Sequence, residues 1–140
     1  MTRLKLLTIL QLSIIFVALS SAKSHAQVKS VEVVKTLNGN MEEALFYYKN
    51  NWEQFRIEAK KRSAIDSYEL LFSQADSSGN CEIMLVTTYK TEQQYLNSEK
   101  HFREIIDAMV GPTGPKFLND IKPNQFRKRI YLNSFSGGSE

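Results

Sequence analysis

Hydrophobic residues in this chain form one long run near the start, followed by segments of two distinct periods. Leu6 to Leu19 is apolar except for Thr8, Gln11 and Ser13. After it, Val28 to Leu37 sets valines at 28, 31, 33 and 34 among Glu32, Lys35 and Thr36, which predicts a half-buried strand. Asn38-Gly39-Asn40 ends that strand. Asn40, with Glu43 three residues later, makes an Asx version of the capping box and starts a helix near Met41. From there to about Arg62, Met41, Ala44, Leu45, Tyr48, Trp52, Phe55 and Ala59 recur at helical spacing, while Glu42, Lys49, Glu53, Lys60 and Lys61 fall off the stripe.

The period then changes to two. Asp66 to Gln74 alternates Tyr68, Leu70 and Phe72 with Glu69, Leu71 and Ser73, and Glu82 to Tyr89 alternates Ile83, Leu85, Thr87 and Tyr89 with Glu82, Met84, Val86 and Thr88. The polar Asp76-Ser77-Ser78-Gly79-Asn80 between them predicts an antiparallel hairpin. Thr91 and Gln94 form a second capping box, opening a helix through Tyr95, Ser98, Phe102, Ile105, Ile106 and Met109 to about Val110. Gly111-Pro112 stops it. Lys116 to Ile121 is expected to form a short helical turn, and Pro123-Asn124 to introduce a last strand over Gln125 to Phe135. Ser136 to Glu140 is a loose polar tail.

Strand, helix, strand, strand, helix, strand is the split βαβ order of a ferredoxin-like α+β domain, with two helices on one face of a four-stranded antiparallel sheet. The uncovered face would carry some of Val34, Leu71, Met84, Val86 and Tyr131. A face that apolar is expected to pair with a second sheet.

The opening run reads as a secretory signal peptide. Arg3 and Lys5 precede it, Ser24-His25-Ala26 fits a small-x-small cleavage site, and a run of about 14 residues is short of the roughly 20 that span a bilayer. The expected organisation is a signal over 1–26, one domain over 27–135 and the tail, with export to the periplasm or the medium and no membrane association after cleavage. The whole chain holds 18 basic and 15 acidic side chains; loss of Arg3, Lys5 and Lys23 leaves the two signs equal. A neutral domain lacks the surplus positive charge that nucleic-acid binding uses. The clusters Lys60-Lys61-Arg62 and Arg127-Lys128-Arg129 are expected to be solvated.

The chemical inventory is thin. Cys81 is the single cysteine, expected as a small residue at a sheet edge, so no intrachain disulfide can form. His101 is the single histidine left after cleavage, too little for a multi-His/Cys metal site, and no nucleophile-elbow motif accompanies it. It falls one step off the apolar stripe, where partial exposure is expected. Neither a metal nor another cofactor is expected.

In its element order, its Tyr-Lys-Thr-Glu-Gln-Gln-Tyr passage at 89–95 and its His101-Phe102 pair, the chain from Val28 to Phe135 resembles the dimeric α+β barrel superfamily, which includes antibiotic-biosynthesis-monooxygenase-like and NIPSNAP-like domains. The resemblance implies a homodimer whose sheets close into a barrel, and a pocket between sheet and helices for an aromatic or other apolar small molecule. Some members oxidise polycyclic phenols without a metal, and some degrade haem. Haem-degrading members place an Asn, a Trp and a His about one pocket; here Trp52 lies in the first helix rather than the sheet region, and His101 alone matches the histidine of the second helix. The favoured reading is a non-catalytic exported binding domain, its cavity lined by Tyr48, Trp52, Phe55, Met84 and Phe102, with His101 as a further ligand contact. The alternative is a cofactor-free monooxygenase or haem-modifying enzyme in which Trp52 and His101 flank the substrate.

Overall fold

The computed structural model describes residues 27–130. The expected signal peptide, the outer part of the last strand from Tyr131 and the polar tail lie outside the described residues. Four strands, β1 (Val28–Thr36), β2 (Ser67–Phe72), β3 (Glu82–Tyr89) and β4 (Arg127–Ile130), form one sheet in the order β2-β3-β1-β4. Every neighbouring pair is antiparallel. The α+β architecture is compatible with a ferredoxin-like arrangement.

Register sorts the side chains onto two faces. Val34 pairs with Ile83 and Glu32 with Leu85, while Leu70 pairs with Leu85 from the other side, so these residues share the helix-covered face. Val34, Ile83 and Leu85 are buried there. Val34 therefore belongs to the core and not, as its sequence neighbours suggested, to the open face. The open face carries Val31, Val33, Leu71, Met84, Val86 and Ile130 across the four strands.

The first helical region runs as α1 (Met41–Tyr47), a π-helical segment (Tyr48–Trp52) and α2 (Glu53–Lys61). The expected stripe is present, but the widened turn brings Tyr48, Asn51 and Trp52 inward together. Asn51 bridges this turn to a distant loop. Its Nδ2 donates to the carbonyls of Tyr47 and Lys116, and its Oδ1 accepts from the Lys116 N–H, each at 2.8 Å. The helix thus carries a side chain that acts as a strand partner for the loop after the second helix.

Asn40 caps nothing. Its side chain and that of Asn38 both donate to the Gln125 carbonyl, and Glu43 accepts from Asn119, so the expected capping box is replaced by ties to the segment leading into β4. At the second helix Thr91 does accept from the Gln94 N–H, at 3.1 Å, while Gln94 Oε1 reaches back to the Lys90 N–H. That region divides into α3 (Glu92–Leu96) and α4 (Ser98–Val110) at Asn97. Lys116 to Ile121 forms no helix; instead α5 (Pro123–Phe126) precedes β4 and delivers Phe126 into the core at 1% exposure, where alternation had placed it in a strand.

The hairpin between β2 and β3 forms as expected. Asp76 Oδ1 accepts from the N–H groups of Ser78 and Asn80, and Gly79 takes a positive φ. Asn80 in turn accepts from Gly39 N–H, tying the hairpin loop to the turn after β1. Cys81 is not a strand residue at a sheet edge: it lies buried beside this junction, one residue before the inner strand β3 and against the end of β1, with its N–H donating to Thr36 Oγ1 at 2.7 Å. Among the described residues no helix is long and apolar enough to cross a membrane.

Candidate functional site

The helix-covered face of the sheet holds two adjoining core clusters. Tyr48 and Trp52 pack with Val34, Ile83, Leu85 and Phe126 in one; Ala59, Tyr89 and Ile105 form the other, with Phe55 and Phe102 against it. Tyr68 touches both. Trp52 meets Tyr68 edge to face at 6.1 Å.

Polar side chains of the sheet adjoin these clusters. Arg127 Nη1 donates to the Tyr48 hydroxyl at 2.6 Å, with its guanidinium carbon 4.8 Å from the Tyr47 ring centre. Burial pushes the Tyr48 hydroxyl up from its ordinary pKa, and the Arg127 hydrogen bond opposes the rise in part. Arg129 Nε lies 2.8 Å from Glu32 Oε1. That oxygen is buried and sits off the N–H axis, so it gains an ion pair without a hydrogen bond. Arg127 and Arg129 thus turn to the helix side of the sheet, yet the solvated reading of that basic cluster holds for Lys128 and Arg129, which are both exposed, and fails for the half-buried Arg127.

Arg56 is the residue that sequence reading missed. It follows Trp52 by one helical turn and precedes Ala59, so it stands on the phase of the apolar stripe. Its guanidinium carbon lies 4.5 Å from the Trp52 ring centre and 4.0 Å from that of Phe102, bridging α2 and α4. Nε donates to Thr87 Oγ1 at a long 3.4 Å. Burial pushes its pKa down to about 10, against the opposing effect of Tyr89 and Glu32. The readable signal was an arginine four residues after a tryptophan on an otherwise apolar face.

The structure brings Tyr48 and Trp52 together, and it places Phe102 across Arg56 from Trp52. Phe55 sits in the second cluster. His101 adjoins Phe102 on α4 and is half-buried as expected, with Nδ1 buried and without a partner among the described residues. Met84 does not join them. Strand alternation turns it to the open face, 41% exposed, where it lines a depression of about 200 Å³ with Val33 and Leu71. A larger open groove of about 530 Å³, between α2 and β2, is lined by Ile57, Lys60, Lys61, Ser67 and Tyr68 and by none of the six expected residues.

No family model, no curated protein and no solved structure matches this chain.

Proposed function

We propose that this chain is an exported, non-catalytic binding domain of the ferredoxin-like, dimeric α+β barrel kind, acting as a homodimer whose sheets pack open face to open face. Its ligand is an apolar or aromatic small molecule held on the helix side, beside Trp52 and Phe102. The observation that carries the reading is the open face itself: Val31, Leu71 and Met84 are 44%, 49% and 41% exposed on one continuous surface. Contiguous apolar surface of this kind is rare on a monomer.

Charge supports a second copy as the occupant. On the open face the acidic Glu69 and Glu82 belong to β2 and β3, and the basic Lys29, Lys35 and Lys128 belong to β1 and β4. A two-fold axis parallel to the strands, between β3 and β1, sets each acidic half over the partner's basic half. It also places Met84 over the partner's Val33, and Leu71 over the partner's Ile130. Aligned sheets about 10 Å apart interdigitate such side chains into a core. Export rests on the sequence of the first 26 residues.

Light scattering during size-exclusion chromatography tests the dimer. The mature protein at micromolar concentration is expected at twice the chain mass, and Met84→Lys at the chain mass. A monomeric wild-type protein overturns the reading.

A further inference from the structure

A cation on the buried stripe of an amphipathic helix costs desolvation that an apolar residue there would avoid. Salt bridges commonly offset that cost, yet among the described residues no carboxylate lies within ion-pair distance of Arg56. Among the described residues its one hydrogen bond is the long contact from Nε to Thr87. The terminal Nη groups have no acceptor among the described residues, and the buried polar atoms left without partners are Glu32 Oε1 and His101 Nδ1, so the Nη groups keep access to solvent. With the guanidinium carbon over the Trp52 and Phe102 rings, the edge of the fork is what remains open to a partner.

The surrounding field favours an anion. Arg56, Arg127 and Arg129 all lie within electrostatic reach of Glu32, whose near oxygen is already committed to Arg129, and among the described residues no other carboxylate forms an ion pair with any of the three. Positive charge is therefore in surplus on the helix side of β1 and β4, although the mature chain is neutral.

From this geometry we propose that Arg56 anchors a carboxylate site, and that the ligand is a carboxylic acid with an apolar or aromatic body. The planar fork matches a carboxylate in two parallel N–H···O bonds. Phe102, half-buried beside the guanidinium, offers apolar surface to the body of the same ligand, and Trp52, 9% exposed, backs the fork from the core side. A tetrahedral phosphate would gain from the fork but waste the Phe102 ring. This site rests on the reading of the helix side as a small-molecule site and names its ligand class.

Trp52 is the single tryptophan, 4.5 Å from the group in question, so its emission reports on the site directly. Mature protein is titrated with 3-phenylpropionate, with the uncharged 3-phenylpropionamide and with inorganic phosphate, following Trp52 fluorescence and confirming by calorimetry. The acid is expected to bind saturably and about tenfold or more tightly than the amide, which corresponds to ~1.4 kcal/mol. Phosphate is expected not to displace it. Arg56→Lys, checked for folding by circular dichroism, is expected to lose most of the preference for acid over amide. Equal binding of acid and amide overturns the carboxylate site while leaving an apolar ligand site in place. Displacement by phosphate at equal concentration overturns the ligand class, and binding of neither acid nor amide overturns the site outright. The acid–amide comparison uses wild-type protein, so it stands even if the variant fails to fold.

Discussion

Replacing Asn51 by alanine removes the side chain that ties the π-helical turn to the loop at Lys116. Asn51 is 5% exposed, and its amide makes one bond within the helix, to the Tyr47 carbonyl, and two across the chain, from and to the Lys116 backbone. At about 1 kcal/mol per net hydrogen bond the loss would be roughly 3 kcal/mol, reduced because water can reach the exposed Lys116, so about 2–3 kcal/mol is expected. For a domain of this size about 1 kcal/mol moves the melting temperature by roughly 5 °C, so the shift should be on the order of 10 °C. Asn50 provides an internal control: it lies in the same π segment but donates only to Phe46, one turn back, and Asn50→Ala should cost less than ~1 kcal/mol. Urea unfolding monitored by circular dichroism gives both values. Amide exchange at Lys116 gives a local reading, and should accelerate in Asn51→Ala alone. If Asn51→Ala costs no more than Asn50→Ala, the clamp is not what the widened turn provides.

Three further outcomes follow from buried groups. Thr36→Val leaves the Cys81 N–H without its 2.7 Å acceptor inside the core and should cost about 1–3 kcal/mol in urea unfolding; a neutral result would mean that the N–H finds another partner. Burial raises the hydroxyl pKa of Tyr48 and of Tyr89, the latter opposed in part by the nearby Ser98 hydroxyl. Both should ionise after exposed tyrosines in an absorbance titration. A raised folded-state pKa gives stability that is complete below the unfolded tyrosine value near 10 and is lost as pH climbs through the folded values, so alkaline unfolding should begin there and shift upward in Tyr48→Phe. Burial likewise raises the Cys81 thiol, so the single cysteine should react with a disulfide reagent slowly in the folded protein and rapidly in denaturant; equal rates would contradict its burial.

The sheet was legible because alternation is a local signal. Glu82 to Tyr89 matches its strand at both ends, and the polar loop from Asp76 to Asn80 forms the turn its residues imply. The same alternation already separated Met84 from Leu85, and placing Met84 in a helix-side pocket went against it. What was not legible came from partners distant in sequence. Asn38 and Asn40 look like turn and cap residues, but the Gln125 carbonyl takes both side chains. The π turn answers to Lys116, which nothing near residue 51 announces. Arg56 escaped because a helical stripe is traced by apolar residues, whereas a guanidinium can occupy that phase when aromatic rings cover it.

The central claim, that the open sheet face meets a second copy of itself, is tested most directly by an isotope-filtered NOE experiment. Equal parts of ¹³C-labelled and unlabelled mature protein are mixed, and only contacts between copies are recorded. The account predicts intermolecular NOEs from the Met84 methyl to Val33 and from Leu71 to Ile130, all of which vanish in Met84→Lys. No intermolecular NOEs, or NOEs arising only from residues of α2 and α4, would contradict it.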